Sequence, residues 1–110
     1  RAIAMDLLMT GRRMALDEAI QYGLVNRRTS LQDLKTEAIE WAHEIAQSAP
    51  LALASIKAVI RETEELKLED AYKLMRSGKI EVYQQMLRSE DAEEGPLAFS
   101  EKRSPEWKGR

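Results

Sequence analysis

The residues best suited to hold a charged ligand lie at the end of the chain. Phe99-Ser100-Glu101-Lys102-Arg103, followed by Trp107-Lys108-Gly109-Arg110, puts four cations and two aromatic rings within twelve residues. A planar ring stacks on a nucleotide base, for roughly 1–3 kcal/mol by analogy with nucleic-acid stacking, and an ammonium pairs with a phosphate. The same segment also reads as a basic helix end answering its own dipole, with Phe99 in the core. Residue types alone leave both readings open.

The rest of the chain offers less chemistry. A nucleophile needs a base beside it and a third group to orient that base, and the sequence holds one histidine, His43, with no partner marked. His43 therefore reads as an ordinary helix residue, and no catalytic residue is assigned. The acidic runs Glu62-Thr63-Glu64-Glu65 and Glu90-Asp91-Ala92-Glu93-Glu94 lack the periodicity of a calcium loop and read as solvated helix ends, so no metal is expected. Thr10-Gly11-Arg12-Arg13 has a single Gly, without the spacing of a phosphate-binding loop, and its arginines read as structural or solvent-facing. Of the five Met residues, four fall in helical stretches, where packing is the expected role.

The elements that must position these residues follow from composition and period. At 110 residues the chain has the length of one domain with a modest core. Aromatics make up only 5%, so the core must come from Leu, Ile, Ala and Met, and most of these are good helix formers. An all-α fold of five or six helices is the expectation. Seventeen basic and nineteen acidic side chains leave a formal charge of −2, which provides no overall footprint for nucleic acid or an anionic membrane. There is no cysteine, so disulfides, thiolate zinc sites and cysteine nucleophiles are excluded. With no apolar run near the roughly 20 residues of a membrane span, a soluble cytoplasmic protein is expected.

The first amphipathic stretch, residues 2 to 9, begins immediately after Arg1, as in a chain cut from something longer. Thr10-Gly11 stops it, because Gly accepts the positive φ that ends a helix. A short helix spans Ala15 to Tyr22, with Asp17 and Glu18 near its start and Gly23 past its end. Thr29 or Ser30 caps a third helix that ends near Ser48, and its apolar stripe runs from Leu31 through Trp41 to Ala46. Pro50 opens a fourth, which fades across residues 61 to 65. A long fifth helix is predicted from Leu68 to Arg88, with Gly78 tolerated inside it or allowing close approach of another helix. Ser89 caps the last helix, which Gly95-Pro96 should break or kink before Leu97.

The string EDAEEGPLAFSEKRSPEWKGR at residues 90 to 110 resembles the C-terminal signature of the crotonase superfamily, the enoyl-CoA hydratases and isomerases. LLMTGRRMALDEAIQYGLVNR at residues 7 to 27 is similar to the segment that follows the catalytic core in that family, and SAPLALASIKAVI resembles its next helix. The resemblance covers essentially the whole chain. RSG at residues 76 to 78, together with the final segment, looks most like the carnitinyl-CoA dehydratase branch. One departure is Ala15, where the family often has a Ser or Asp helix cap.

The resemblance implies that this chain is a single helical C-terminal domain, residues 1 to 110, of a larger enzyme. That enzyme's ββα-spiral core would supply the oxyanion hole and the acid and base glutamates, and would lie outside this chain. It implies an acyl-CoA thioester as substrate, no tightly bound cofactor, and assembly into a trimer or a dimer of trimers. Phe99 and Lys102 would then lie against the adenine and phosphates of CoA, often across a subunit boundary, with Lys108 as a further candidate. Within the family the reaction could instead be isomerisation, decarboxylation or thioester hydrolysis. Outside it, the chain could be a helical interaction module without enzymatic activity.

Overall fold

The computed structural model describes residues 1 to 110 as seven helices and no strand: α1 (Ala2–Thr10), α2 (Leu16–Gln21), α3 (Leu34–Ala46), α4 (Pro50–Thr63), α5 (Leu68–Arg76), α6 (Glu81–Leu87) and α7 (Glu90–Glu101). The expected all-α class is observed, with more helices than the five or six predicted. The chain forms two compact units, Arg1–Ile39 and Glu40–Arg110.

In the first unit, α1 ends at Gly11, whose φ of 64° lets its N–H reach back to the Leu7 carbonyl. Ala15 is the N-cap of α2 and contributes no side-chain hydrogen bond, as expected of Ala in that place. The third helix starts later than predicted. Ser30 accepts the Asp33 N–H at 3.1 Å and donates to the Asp33 carboxylate at 2.6 Å. That cap serves a turn over residues 31 to 33, and regular helix begins at Leu34.

In the second unit, α4 packs mainly on α6, with smaller contacts to α5, and α6 touches α7. Pro50 sits in the first turn of α4, where its missing N–H costs nothing. The predicted helix over 68–88 is two helices. Ser77 ends α5 and donates its hydroxyl to the Leu74 carbonyl at 2.7 Å, and Gly78 then turns the chain with φ 78°. Past this turn Ile80 is the N-cap of α6 and is buried, 6% exposed. Burial of one β-branched side chain outweighs the helical period that residues 68 to 88 display on paper.

Of the break or kink expected at Gly95-Pro96, no break occurs: α7 runs through Pro96. Proline there removes one helical hydrogen bond and crowds the preceding turn. Contacts on both sides of it hold the helix together: Ser89 Oγ accepts the Ala92 N–H at 3.2 Å, Ala98 is 1% exposed, and the chain after the helix folds back along it. Buried apolar side chains are few. Only Ile80 and Ala98 are buried, while Met5, Leu8 and Met9 on α1 and Leu68 and Tyr72 on α5 are exposed. The packing role expected for the α1 methionines is therefore not met within this chain. No helix is long and apolar enough to cross a membrane.

Candidate functional site

The segment singled out by its cations and rings is α7 with the tail that follows it. Residues 90 to 94, expected to be a solvated acidic run, are what secures the tail. Asp91, 5% exposed, accepts the backbone N–H of Lys108 at 2.7 Å and of Gly109 at 2.9 Å. Glu94 accepts the Glu106 N–H at 2.8 Å and both terminal nitrogens of Arg103, at 2.5 and 2.8 Å. Glu90 takes the Lys108 ammonium at 2.9 Å and Arg110 Nε at 3.1 Å, and its own N–H donates to the Arg110 carbonyl at 2.7 Å. The first turn of a helix, with free N–H groups and the positive end of its dipole, is where acidic side chains are most stable.

Electrostatics follow this geometry. The Arg103 guanidinium, helped by the Glu106 N–H, holds the Glu94 carboxyl down at about 2. Lys108 and then Arg110 lower that of Glu90. Trp107 completes the strap: its indole N–H donates to the Gln47 carbonyl at 2.7 Å, and its ring lies where a Cβ on Gly95 would meet it at 3.4 Å. The ring thus packs directly against the helix backbone at Gly95.

Of the three residues proposed to contact a ligand, Phe99 and Lys102 share the C-terminal end of α7, three positions apart. Phe99 is 87% exposed, which excludes the reading that placed it in the core. Lys102 is exposed, and its ammonium makes no ion pair within the chain. Its backbone is left-handed, with φ 56° and ψ 38°. Lys108 is elsewhere. Glu90 holds its ammonium at the other end of α7, which twelve residues of helical rise put about 18 Å away.

Of the recesses in this unit, two bear on what it could bind. One, of about 400 Å³, is bordered by Glu90, Asp91, Glu93, Glu94, Arg103 and Lys108, and its surplus of carboxylates makes it unsuited to a phosphate. The other, of about 390 Å³, is an apolar groove along Ile56, Val59, Ile60, Met75, Tyr83 and Met86. His43 is exposed on α3, and no three His, Cys, Asp or Glu side chains gather as a metal-binding group. Sequence reasoning missed Asp91, Glu94 and Arg103. The available signal was an acid pair three residues apart ahead of an arginine, which reads as solvated until the tail is seen to return.

Comparison with known proteins places this arrangement. The model of the enoyl-CoA hydratase/isomerase family matches residues 1–110. A carnitinyl-CoA dehydratase of Proteus mirabilis is 57% identical over 109 residues, covering 99% of this chain, and one of Escherichia coli is 50% identical over the same length. Among solved structures, an enoyl-CoA hydratase/isomerase from Mycobacterium paratuberculosis superposes with a TM-score of 0.84 at 33% identity over 100% of this chain. An enoyl-CoA hydratase from Bacillus anthracis superposes with 0.83 at 33%. This chain spans 42% of the length of the two curated relatives and 42% and 41% of the two structures.

Proposed function

From the premise that this chain belongs to the enoyl-CoA hydratase/isomerase family, we propose that it is the helical C-terminal part of a lyase of the carnitinyl-CoA dehydratase type. Such an enzyme reversibly hydrates a 2,3-unsaturated acyl-CoA. In this reading the oxyanion donors and the acid–base glutamates belong to a core outside these residues. The helices serve oligomer assembly, and the end of α7 contacts CoA. The enzyme acts in the cytoplasm on an acyl-CoA substrate and keeps no tightly bound cofactor.

One observation carries the CoA contact. An aromatic ring that is 87% exposed and an ammonium with no ion pair sit three residues apart at one helix end. A ring for the adenine and a cation for a phosphate are the two elements that a nucleotide handle requires. Lys108 is a third contact in this reading, and to serve it would exchange Glu90 for a phosphate. Assembly is supported by the apolar side chains exposed on α1 and α5, which a second copy would cover.

Lys102→Ala in the full-length enzyme tests the contact. A charged hydrogen bond of about 1.5–3 kcal/mol predicts a KM for acyl-CoA roughly 10- to 100-fold higher. An unchanged KM removes Lys102 from the site. The location of the chemistry is tested with the 110-residue chain alone, and hydration of crotonyl-CoA or crotonobetainyl-CoA above background would overturn it. A strictly monomeric mass by light scattering would count against assembly.

A further inference from the structure

Four glycines in this chain adopt positive φ, between 64° and 78°, and three of them follow helix ends: Gly11 after α1, Gly23 after α2 and Gly78 after α5. Only one other residue adopts it, and that is Lys102, at the end of α7. A left-handed backbone is unfavourable for a residue with a Cβ, and glycine is the residue that closes helices without that cost. Where the chain needs only a stop, it uses glycine. At Lys102 it keeps a side chain and supports the conformation by other means.

The support comes from the next residue. The Arg103 N–H closes the helix on the Ala98 carbonyl at 3.1 Å, and Ala98 is the most deeply buried apolar residue of the chain. The Arg103 guanidinium then engages each of its nitrogens with acceptors of this chain. Two go to Glu94, at 2.5 and 2.8 Å, Nε goes to Glu101 at 2.6 Å, and the first also reaches the Ser104 carbonyl at 3.2 Å. Each nitrogen of Arg103 is thus engaged, four of its five N–H groups being bonded, while Lys102 beside it has no ion pair and Phe99 is bare. Glu94 is in turn fixed by the Glu106 N–H, so the anchor is tied to both the helix and the tail.

We infer that Arg103 is a positioning residue: clamped by Glu94 and Glu101, it holds Lys102 in its left-handed turn so that the ammonium and the Phe99 ring are presented together to the adenine nucleotide end of CoA. This rests on the reading of Phe99 and Lys102 as the CoA contact. A turn already held in the binding conformation loses less freedom when the ligand arrives, so its effect falls on affinity and not on the chemical step.

The test is a double-mutant cycle in the full-length enzyme, with KM and kcat for acyl-CoA and the thermal midpoint measured for each variant. Lys102→Gly keeps the turn and removes the ammonium. It is expected to raise KM about tenfold or more at an unchanged or higher thermal midpoint. Arg103→Gln is expected to raise KM about three- to tenfold with kcat within about twofold, and to add nothing in the Lys102→Gly background. If Arg103→Gln does not fold, Glu101→Gln removes one anchor from an exposed pair and is read in the same cycle. An unchanged KM for Lys102→Gly would defeat the CoA reading itself. A raised KM for Lys102→Gly would leave that reading standing. The positioning role alone would then be defeated if the anchor variants leave KM unchanged, or raise it equally with and without Lys102.

Discussion

Arg12 and Arg103, in separate units of the molecule, are wired alike. Each follows a left-handed residue that ends a helix, Gly11 after α1 and Lys102 after α7. Each donates Nε to one carboxylate and grips a glutamate with both terminal nitrogens. For Arg12 these are Asp6 at 2.7 Å and Glu18 at 2.8 and 2.6 Å. For Arg103 they are Glu101 at 2.6 Å and Glu94 at 2.5 and 2.8 Å. Beyond the guanidinium the two differ. Arg12 joins α1 to α2 across an exposed turn, whereas both acids of Arg103 lie on its own helix and one of them also holds the tail. A bidentate arginine closes a turn equally well in either setting. What sits beside it decides whether the turn is only a connection or also presents a side chain.

Breaking the C-terminal arrangement at its buried anchor should have the largest effect. Asp91→Ala leaves the Lys108 and Gly109 N–H groups without their acceptor and is expected to cost about 3 kcal/mol in a denaturant titration. No acid near Arg12 is buried to that degree, so no substitution there should match it.

Exchanging the residue classes at the two left-handed positions sharpens the contrast. Gly11→Ala should destabilise by about 1 kcal/mol, the cost of a Cβ at φ 64°. Lys102→Gly should stabilise by up to about 1 kcal/mol while impairing acyl-CoA binding. Opposite signs in thermal unfolding are the expected outcome. A loss of stability in Lys102→Gly would mean that the lysine side chain itself holds the turn.

Acid should separate the two turns further. Glu94 is held at about 2 by Arg103 and the Glu106 N–H, and Glu18 is also lowered, chiefly by Arg12. Both shifts are downward. Their stabilisation is therefore present above the ordinary carboxylate value of 4.5 and is lost as pH falls from there, for Glu94 down to about 2. The thermal midpoint should drop across that interval, and Glu94→Gln should flatten the drop more than Glu18→Gln. The smallest effect is expected from Arg12→Ala, because exposed ion pairs are screened by water and salt and add little to stability. Its thermal midpoint should stay closer to that of the unaltered protein than the midpoint of Asp91→Ala.

Much of the fold can be read from local chemistry. Gly11 ends α1, the stretch from Ala15 to Tyr22 holds a short helix, Pro50 opens α4 and Ser89 caps α7, because each signal acts within a turn or two of itself. Family membership was legible in the order of residues along 90 to 110. The single helix over 68–88, and an outright break at Pro96, are not observed for one reason: helical period and proline chemistry are local, and contacts from elsewhere in the chain act on both. Ile80 is buried just past the left-handed turn at Gly78. The acidic run 90–94 looked solvated because its partners, Arg103 through Arg110, reach it only after the tail returns.

The sequence alone therefore determined the helical class, most helix starts and stops, and the kinship of the chain, since these depend on neighbouring residues and their order. Only the tertiary structure decided which of the clustered cations are already committed to carboxylates and which face outward. That depends on contacts such as Trp107 to the Gln47 carbonyl, sixty residues apart, and no spacing along the chain encodes them. It is this sorting that leaves Lys102 and Phe99 exposed beside an arginine whose three nitrogens are all committed to carboxylates.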